Sequence, residues 1–322
     1  MNDILRDTDF DFLGPKISGK VRDIYDRGDS LVLITTDRHS SFDRIIAHIP
    51  WKGQVLNQVS AYWFDATSDI VPNHVLSVPD PNVTVARKCK LVPIEAVVRG
   101  YLTGVTDTAI WTRYGNGQRD FGGLKLADGM RKNQRLPQPI FDPTTKEADH
   151  DRTLSPDEMV KQGFVSKELF ARIKDTALRL FARGQQIAAQ RGLALVDTKY
   201  EFGTDAQGNL VLIDEIHTPD SSRYWQLSSY ETRLAAGQEP DYFDKEFLRL
   251  WFREHCDPYA DKTLPEAPRE LVEELSHRYI QMYEQITGQS FVPGATPILP
   301  RIERNLRSLG PSSMAKASAV GR

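Results

Sequence analysis

The sequence predicts a mixed α+β protein that is long enough for two domains or a two-lobed unit. Runs typical of β-strands dominate the first third of the chain, whereas the long amphipathic helical patterns come after residue 165. The 322 residues are 40% hydrophobic and 26% charged, so the chain can bury a sizeable core. We find no internal repeat, and we expect a globular protein.

Composition argues against several classes of protein. The formal net charge of −3 does not suit a nucleic-acid binder that neutralises phosphates, although local basic clusters would suit small anionic ligands. No apolar run approaches the ~20 residues of a membrane span, and the acidic start MNDILRDTDFDF is unlike a signal or transit peptide. The two cysteines form no C-x-x-C pair and are typical of a reducing compartment. We therefore expect a cytoplasmic protein.

The first third of the chain is predicted to form strands and one helix. KISGKVRDIYD and LVLITTD are separated by RGDS, the pattern of a hairpin with its turn, and Val55, Val59 and Trp63 recur every four residues. The predicted elements are a strand at 16–26, a turn at 27–30, a strand at 31–37, a helix at 53–64, and strands at 83–89 and 94–102. This part is therefore predicted to be rich in strands.

From 112 to about 165 the periodicity fades into Gly, Pro, Asn and Asp, and such a long irregular run is usually functional or flexible. A helix over 166–190 then follows, with Gly192 as its stop. Its predicted apolar stripe consists of Leu169, Ile173, Ala177, Leu180, Phe181, Gly184 and Ile187. The remaining predicted elements are strands at 193–202 and 210–216, joined by TDAQGN, and helices at 243–255 and 268–287.

The stretch LVDTKYEFG at 195–203 carries more charge than a strand usually does. Side chains alternate along a strand, so Asp197, Lys199 and Glu201 share one face. The next strand ends in Asp214, and a hairpin would bring that carboxylate near the charged face. Glu201 and Asp214 suit Mg²⁺, which one or two carboxylates commonly hold while substrate phosphates complete its shell. The alternative is a solvated ladder of salt bridges, because exposed ion pairs are common and nearly neutral in energy.

Three flanking segments favour the functional interpretation. ISGKVRDIY offers Gly19, Lys20 and Arg22 to a polyphosphate, although an exposed basic strand end is the alternative and the P-loop spacing is absent. VVRGYLTG places Arg99 before two glycines, which fits either an anion pocket or a structural turn. TPDSSRYW adds hydroxyls, a carboxylate and Arg223 directly after the acidic strand, which supplies partners for hydroxyls and a phosphate.

These segments together resemble one known family. GKVRDIY, SSFD with KGQVLNQVS, KLVPIEAVVRGYLTG, PTTKEADHD, LVDTKYEFG and DEIHTPDSSRYW occur in the order found in the phosphoribosylaminoimidazole-succinocarboxamide synthases, or SAICAR synthetases. The resemblance runs from about residue 14 to 290, and the extra segment before TTKEADHD is similar to the longer form of the family.

The resemblance implies both fold and reaction. We expect a strand-rich nucleotide-binding lobe at 1–92, an α/β substrate- and metal-binding lobe at 93–305, and a mobile tail at 306–322. The two lobes would be distantly similar to those of kinases and ATP-grasp enzymes. The implied ligase uses ATP and Mg²⁺ to join L-aspartate to carboxyaminoimidazole ribotide (CAIR) through an acyl phosphate in purine biosynthesis. These small molecules are the expected partners, with no nucleic acid or membrane, in a monomer or small homo-oligomer.

The resemblance also implies roles for single residues. Lys199 would hold the substrate carboxylate, Asp197 would contact the imidazole, and Glu201 and Asp214 would hold the metal. The implied ATP contacts are Gly19, Lys20, Arg22, Lys90 and Leu91, the last two through backbone groups at an adenine hinge. The implied substrate contacts are Arg99, Ser222 and Arg223 for the phosphate, Asp220 for a ribose hydroxyl, and Asp151 near the aspartate.

One position departs from the family pattern. A serine usually follows V-R-G-Y-x-T-G, and this chain has Val105, so a hydroxyl donor is missing from the phosphate pocket. Thr103 or Thr106 would replace it, or affinity for the ribotide would be weaker. The histidines show no metal spacing and are interpreted as structural or surface groups, with His150 beside Asp151 as the exception.

Two other classes of function remain as alternatives. A kinase-like phosphotransferase would share the nucleotide cleft and the metal carboxylates, but the chain has no H-R-D-type loop that would supply its aspartate base. A non-catalytic nucleotide-binding regulator would be expected to lack some metal or phosphate ligands, yet Lys199, Glu201, Asp214 and Arg223 are all present. The ligase is the function that the sequence favours.

Overall fold

A computed structural model describes residues 3–106, 108–146, 154, 156–242 and 246–309. Its strands are β1 (Lys16–Ser18), β2 (Arg22–Asp26), β3 (Ser30–Thr35), β4 (Arg38–Ser41), β5 (Arg44–His48), β6 (Val75–Asp80), β7 (Val83–Arg87), β8 (Lys90–Tyr101), β9 (Asp120–Phe121), β10 (Leu124–Lys125), β11 (Arg135–Phe141), β12 (Thr144–Thr145), β13 (Leu193–Thr204), β14 (Leu210–Ile213) and β15 (Ser222–Gln226). Its helices are α1 (Lys52–Ala66), α2 (Ile110–Gly115), α3 (Pro156–Lys161), α4 (Lys167–Gln190), α5 (Leu227–Ala235), α6 (Glu246–His255), α7 (Arg269–Thr287) and α8 (Ile298–Arg307).

The predicted α+β class is confirmed, and the chain forms two compact units. The described part of unit 1 covers 3–62, 74–88 and 246–309, and unit 2 covers 63–73 and the described residues of 89–242. The predicted lobes are two continuous segments, 1–92 and 93–305, followed by a tail, whereas each of these units is built from separate segments. None of the helices in the described ranges is long and apolar enough to cross a membrane.

Unit 1 contains a five-stranded antiparallel sheet with the strand order β1-β2-β3-β7-β6. The sequence predicted one strand over 16–26, and this was wrong, because the segment is itself a hairpin of β1 and β2. The N–H of Gly19 donates to the carbonyl of Arg22 at 2.7 Å, and a Cβ at Gly19 would lie only 3.2 Å from that oxygen. A residue without a side chain therefore fits this tight turn, and Lys20 lies at its tip.

Helix α8 covers one face of this sheet, and the sequence did not predict it. Ile298, Ile302 and Leu306 are buried with apolar side chains of β3 and β7. Arg301 is buried beside them, where its Nε and Nη2 donate to the two carboxylate oxygens of Asp80 at 2.9 and 3.1 Å. The predicted tail began at residue 306, but Leu306 and Arg307 form the last turn of α8. Residues 310–322 lie outside the described ranges.

Unit 2 is built on a sheet with the strand order β11-β8-β13-β14, in which β12 also pairs with β8 and β15 with β13. The sequence predicted an irregular run over 112–165, yet β11 lies within it. Its prolines at 137 and 139 have no N–H to donate, so they weaken a strand signal. They are tolerated because β11 lies at the edge of the sheet in this strand order and its pairing with β8 is irregular.

The long helix α4, whose apolar stripe was predicted to lie in the core, packs against β13 and β8. Ser166 caps it by accepting a hydrogen bond from the N–H of Leu169 at 3.1 Å. Leu169 and Ile187 are only half-buried, and Phe170 and Ala188 are buried in their place. The helix contacts the face of the sheet opposite the charged row, since a Cβ at Gly100 would lie 3.2 Å from the ring of Phe181.

Candidate active site

One face of the sheet in unit 2 carries the predicted charged row. The alternation of β13 puts Asp197, Lys199 and Glu201 on this face, while Tyr200 and Phe202 are fully buried on the other. The neighbouring strand β8 adds a second row in register. Its cross-strand pairs with β13 are Arg99 with Asp197, Val97 with Lys199, and Glu95 with Glu201. Two strands that are about a hundred residues apart in sequence thus build one charged surface.

Lys199 is bracketed by two carboxylates. Its Nζ lies 2.8 Å from Oε1 of Glu95 and 2.9 Å from Oε1 of Glu201. Burial acts to lower the pKa of Lys199, but the attraction of Glu201 and Glu95 outweighs it and raises the pKa well above its ordinary value. The ammonium therefore stays charged throughout the physiological range of pH.

Lys146 completes this cluster from the end of β12. Its Nζ bonds Oε2 of Glu201, so each oxygen of that carboxylate contacts one lysine. Two lysines and two glutamates make the cluster formally neutral. No group of three or more His, Cys, Asp or Glu side chains in the described ranges could hold a metal ion on its own. A cation held here would need further ligands from a bound molecule.

Asp214 lies at the end of the hairpin that the sequence predicted. Strand β14 pairs Ile213 with Glu201, and Asp214 is the next residue. Its backbone has φ of +67°, a left-handed conformation that non-glycine residues rarely adopt and that asparagine and aspartate tolerate best. The chain turns sharply at this point, directly after the partner of Glu201.

The other end of the charged face is a set of arginine–carboxylate pairs. Arg223 forms a bidentate ion pair with Asp197, with distances of 3.0 Å from its Nε to Oδ1 and from its Nη2 to Oδ2. Arg99 donates from Nε to Oδ2 of Asp142 at 2.7 Å, and Nη2 of Arg113 bonds the same oxygen. The Arg223 side chain is 46% exposed, whereas the Arg99 and Asp142 side chains are 10% and 8% exposed. The guanidinium of Arg223 is thus accessible to a ligand.

Ser222 and Asp220 follow the acidic strand as predicted, but the hydroxyl of Ser222 is engaged elsewhere. It donates to Oγ1 of Thr198 at 2.8 Å, on the face of β13 opposite Asp197 and Lys199. Its N–H donates to the carbonyl of Thr218 at 3.0 Å. Asp220 is half-buried in the turn that precedes β15.

The predicted ATP contacts occupy exposed positions, except Arg22, which is half-buried. In unit 1, the exposed side chains of Lys20 and Asp43 form an ion pair of 2.6 Å, and Arg22 begins β2. In unit 2, Lys90 and Leu91 begin β8 and are exposed, with Leu91 at 44%. The predicted residues Asp151 and His150 lie outside the described residues.

Four residues at the charged face were not predicted from the sequence: Glu95, Arg113, Asp142 and Lys146. A signal existed for Glu95, because it lies four residues before Arg99 on one strand and therefore shares its face. Lys146 belongs to PTTKEADHD, where only the later Asp151 was considered. No local pattern marks Asp142 or Arg113, because Asp142 meets Arg99, and Arg113 meets Asp142, only through tertiary contacts.

The chain is similar to known proteins over most of its length. A family model described as SAICAR synthetase matches residues 16–265. The chain belongs to the SAICAR synthetase family. Among its relatives, the phosphoribosylaminoimidazole-succinocarboxamide synthase of Legionella pneumophila (strain Lens) is 56% identical, with 91% of this chain and 95% of that protein covered. The chloroplastic synthase of Arabidopsis thaliana is 57% identical, with 91% and 72% covered.

Solved SAICAR synthetase structures share the fold. The SAICAR synthase from Saccharomyces cerevisiae complexed with SAICAR superposes with a TM-score of 0.77 at 32% identity, covering 90% of this chain and all of that one. A Type-2 SAICAR synthetase in complex with ADP superposes with a TM-score of 0.66 at 23% identity, covering 87% and 100%, and this second likeness is one of fold alone.

Proposed function

We propose that this chain catalyses the SAICAR synthetase reaction. ATP, CAIR and L-aspartate are converted into SAICAR, ADP and phosphate, a step of purine biosynthesis. Relatives that carry this name match more than nine-tenths of the chain at 56% identity, and the Saccharomyces cerevisiae protein was solved with SAICAR. The structural observation that carries the proposal is the lysine bracketed by carboxylates on one sheet face, Lys199 between Glu95 and Glu201.

The chemistry explains why such a lysine is needed. A carboxylate does not react directly with an amine, because its oxygen is a poor leaving group. The substrate carboxylate therefore attacks the γ-phosphorus of ATP, the bond to the β-γ bridging oxygen breaks, and ADP leaves. The aspartate amine then attacks the acyl carbon, loses a proton and expels phosphate. In the first step two anions must meet, and the charge of Lys199 lowers the cost of that approach.

The donor set around Glu201 fits Mg²⁺. Carboxylate oxygens are the ligands that this ion prefers, and Glu201 and Asp214 would hold it. When bound, Mg²⁺ supplies positive charge that offsets the charge of the ATP phosphates. Because Lys146, Lys199, Glu95 and Glu201 form a neutral set, a divalent ion leaves the site positive overall, as a polyphosphate requires.

The arginine end of the charged face is proposed to bind the ribotide. Arg99 and Arg223 would take the phosphate, since guanidinium groups match phosphate oxygens in pairs. Asp197 would accept a hydrogen bond from the imidazole substituents, and Asp220 one from a ribose hydroxyl. Ser222 would join the phosphate contacts only by giving up its hydrogen bond to Thr198.

The remaining roles extend the proposal to ATP and aspartate. Lys20 and Arg22 would contact the polyphosphate from the β1–β2 turn. Gly19 would let the backbone approach the phosphates closely, while its own N–H stays bonded to the carbonyl of Arg22. The backbone groups of Lys90 and Leu91 would hydrogen-bond the adenine. Asp151 is retained as the residue near the aspartate amine.

A reaction mixture with single omissions tests the function. Purified protein, ATP, Mg²⁺, CAIR and aspartate should produce ADP and SAICAR in equal amounts, and omission of CAIR should abolish ADP formation because the phosphoryl acceptor is then missing. ADP formation at the same rate without CAIR would contradict the mechanism. ADP formation with a hydroxyl compound in place of CAIR would instead support the kinase-like alternative.

A further inference from the structure

Two arginines of unit 2 share one buried carboxylate. Arg99 donates from Nε to Oδ2 of Asp142 at 2.7 Å, and Nη2 of Arg113 bonds the same oxygen. The three side chains are 10%, 15% and 8% exposed for Arg99, Arg113 and Asp142. Two guanidinium charges against one carboxylate leave a net charge of +1 in a largely desolvated place, where an uncompensated charge is costly. An anionic ligand would remove that cost.

Arg113 retains donors for such a ligand. Asp142 is its hydrogen-bond acceptor among the described residues, and the buried Nε has no partner there. The guanidinium carbon lies 5.2 Å from the centre of the Phe121 ring, which holds the side chain from one side. Arginine carries five donors in a fixed plane, and the contact with Asp142 engages one of them.

The surroundings place Arg113 at the arginine end of the charged face. Asp142 ties it to Arg99, which is the cross-strand neighbour of Asp197. The segment between Arg99 and Arg113 lies close to Arg223. A Cβ at Gly104, within that segment, would lie 3.6 Å from both terminal nitrogens of Arg223. Three guanidinium groups therefore border one segment.

Two other side chains of this segment offer no free donor to a ligand, and the exposed hydroxyls of Thr106 and Thr108 lie 3.5 Å apart. Val105 is 81% exposed and has no polar atom in its side chain. The hydroxyl of Thr103 is buried and donates to Oδ1 of Asn133 at 2.6 Å. Among the described residues of this segment, Arg113 therefore adds a charged donor beside Arg99.

We propose that Arg113 is a substrate-binding residue that contacts the phosphate monoester of the ribotide together with Arg99, and that Asp142 is a positioning residue that holds the two guanidinium groups. The proposal deepens the proposed function and rests on it. It predicts that the contribution of Arg113 depends on the phosphate group of the substrate, which a purely structural arginine would not show.

The test compares CAIR with the riboside that lacks its phosphate. Arg113→Gln should raise KM for CAIR about tenfold or more, as expected for a lost charge-assisted hydrogen bond, and change KM for ATP and aspartate less than about twofold. With the riboside, Arg113→Gln and the parent should have equal kcat/KM. The matched control is Arg131→Gln, which removes an exposed arginine of the same unit and should behave as the parent. An equal loss on both substrates would overturn the proposal.

A binding measurement makes the test independent of turnover. Calorimetry with ribose 5-phosphate should give binding to the parent that weakens about tenfold in Arg113→Gln and is partly restored in Arg113→Lys, which keeps the charge. Equal affinity in all three proteins would overturn the proposal even if the parent makes SAICAR. Thermal melting that collapses in both variants would assign Arg113 to the fold and would also overturn it. A parent that binds ribose 5-phosphate without making SAICAR would count against the proposed function alone.

Discussion

Glu95 and Glu201 are direct cross-strand partners, and the single ammonium of Lys199 hydrogen-bonds both of them. Two carboxylates opposite each other on neighbouring strands repel, so the pair needs a cation to be stable. Lys199 and Lys146 fill that need in this structure. Carboxylate oxygens are also the ligands that a divalent ion such as Mg²⁺ prefers, which links the geometry of the pair to the proposed metal site.

Glu201→Gln and Asp214→Asn should each weaken the binding of Mg²⁺ while leaving the fold intact. Each substitution removes one negative charge from the proposed metal site, so the Mg²⁺ concentration for half-maximal turnover should rise about tenfold or more. Turnover titrated with Mg²⁺ at fixed ATP measures this. Asp205→Asn, at the β13–β14 turn, is the control. Unchanged Mg²⁺ titrations in both variants would place the metal elsewhere.

Val105→Ser should tighten ribotide binding or leave it unchanged. Val105 is 81% exposed, so its replacement loses little packing, and the new hydroxyl adds a donor near the arginine end of the face. The quantity to measure is KM for CAIR, with KM for ATP as the internal reference. A large rise in KM for CAIR would show that the phosphate pocket has been misplaced.

His217 should make the stability of the protein sensitive to acid. The side chain is fully buried and hydrogen-bonded to the Tyr200 hydroxyl at 2.6 Å, and burial lowers its pKa to about 3. Between the ordinary value near 6.5 and about 3, the unfolded chain binds a proton at this histidine and the folded chain does not. The free energy of unfolding therefore falls as pH falls through that window, by up to about 1.4 kcal/mol per pH unit.

Urea unfolding at several pH values isolates this contribution. His217→Asn suits the left-handed backbone there, at φ of +50°, and removes the titrating group. The stability difference between parent and His217→Asn should therefore shrink as the pH is lowered from 6.5. The exposed His277, replaced in the same way, is the control. A difference that stays constant with pH would contradict burial of a neutral His217.

The charged row could be predicted from the sequence because it depends only on the alternation of side chains along one strand. Alternation along β13 determines which side chains share a face. The short turn to β14 fixes the register that places Ile213 opposite Glu201. Glu95, Asp142 and Arg113 could not be predicted in this way. Their positions depend on the pairing of β8 with β13 and on the packing of α2, which join residues far apart in the chain.

Proline explains two of the missed elements. Strand β11 contains two prolines that a central strand would not tolerate, and only its place at the sheet edge allows them. Helix α8 follows Pro297 and has Pro300 in its first turn, where a missing N–H costs no helical hydrogen bond. In both cases the local sequence indicates a break, and the tertiary position of the element permits the regular structure.

The face that carries Lys199 is proposed to be the surface on which the phosphoryl group is transferred. Lys199→Met keeps most of the stem and removes the charge, so the substrate carboxylate and the polyphosphate would repel more strongly. Loss of such an electrostatic contact typically costs ~3 kcal/mol or more, a fall of about a hundredfold or more in rate. Lys125→Met, on the exposed strand β10, is the matched control, and melting temperatures report on folding.

The decisive measurement is kcat of Lys199→Met beside its affinity for Mg-ATP. We expect kcat to fall about a hundredfold or more while nucleotide binding stays within a few-fold of the parent and the fold survives. A Lys199→Met protein that turns over within a few-fold of the parent would contradict the account, because the charged row would then be a ladder of surface salt bridges.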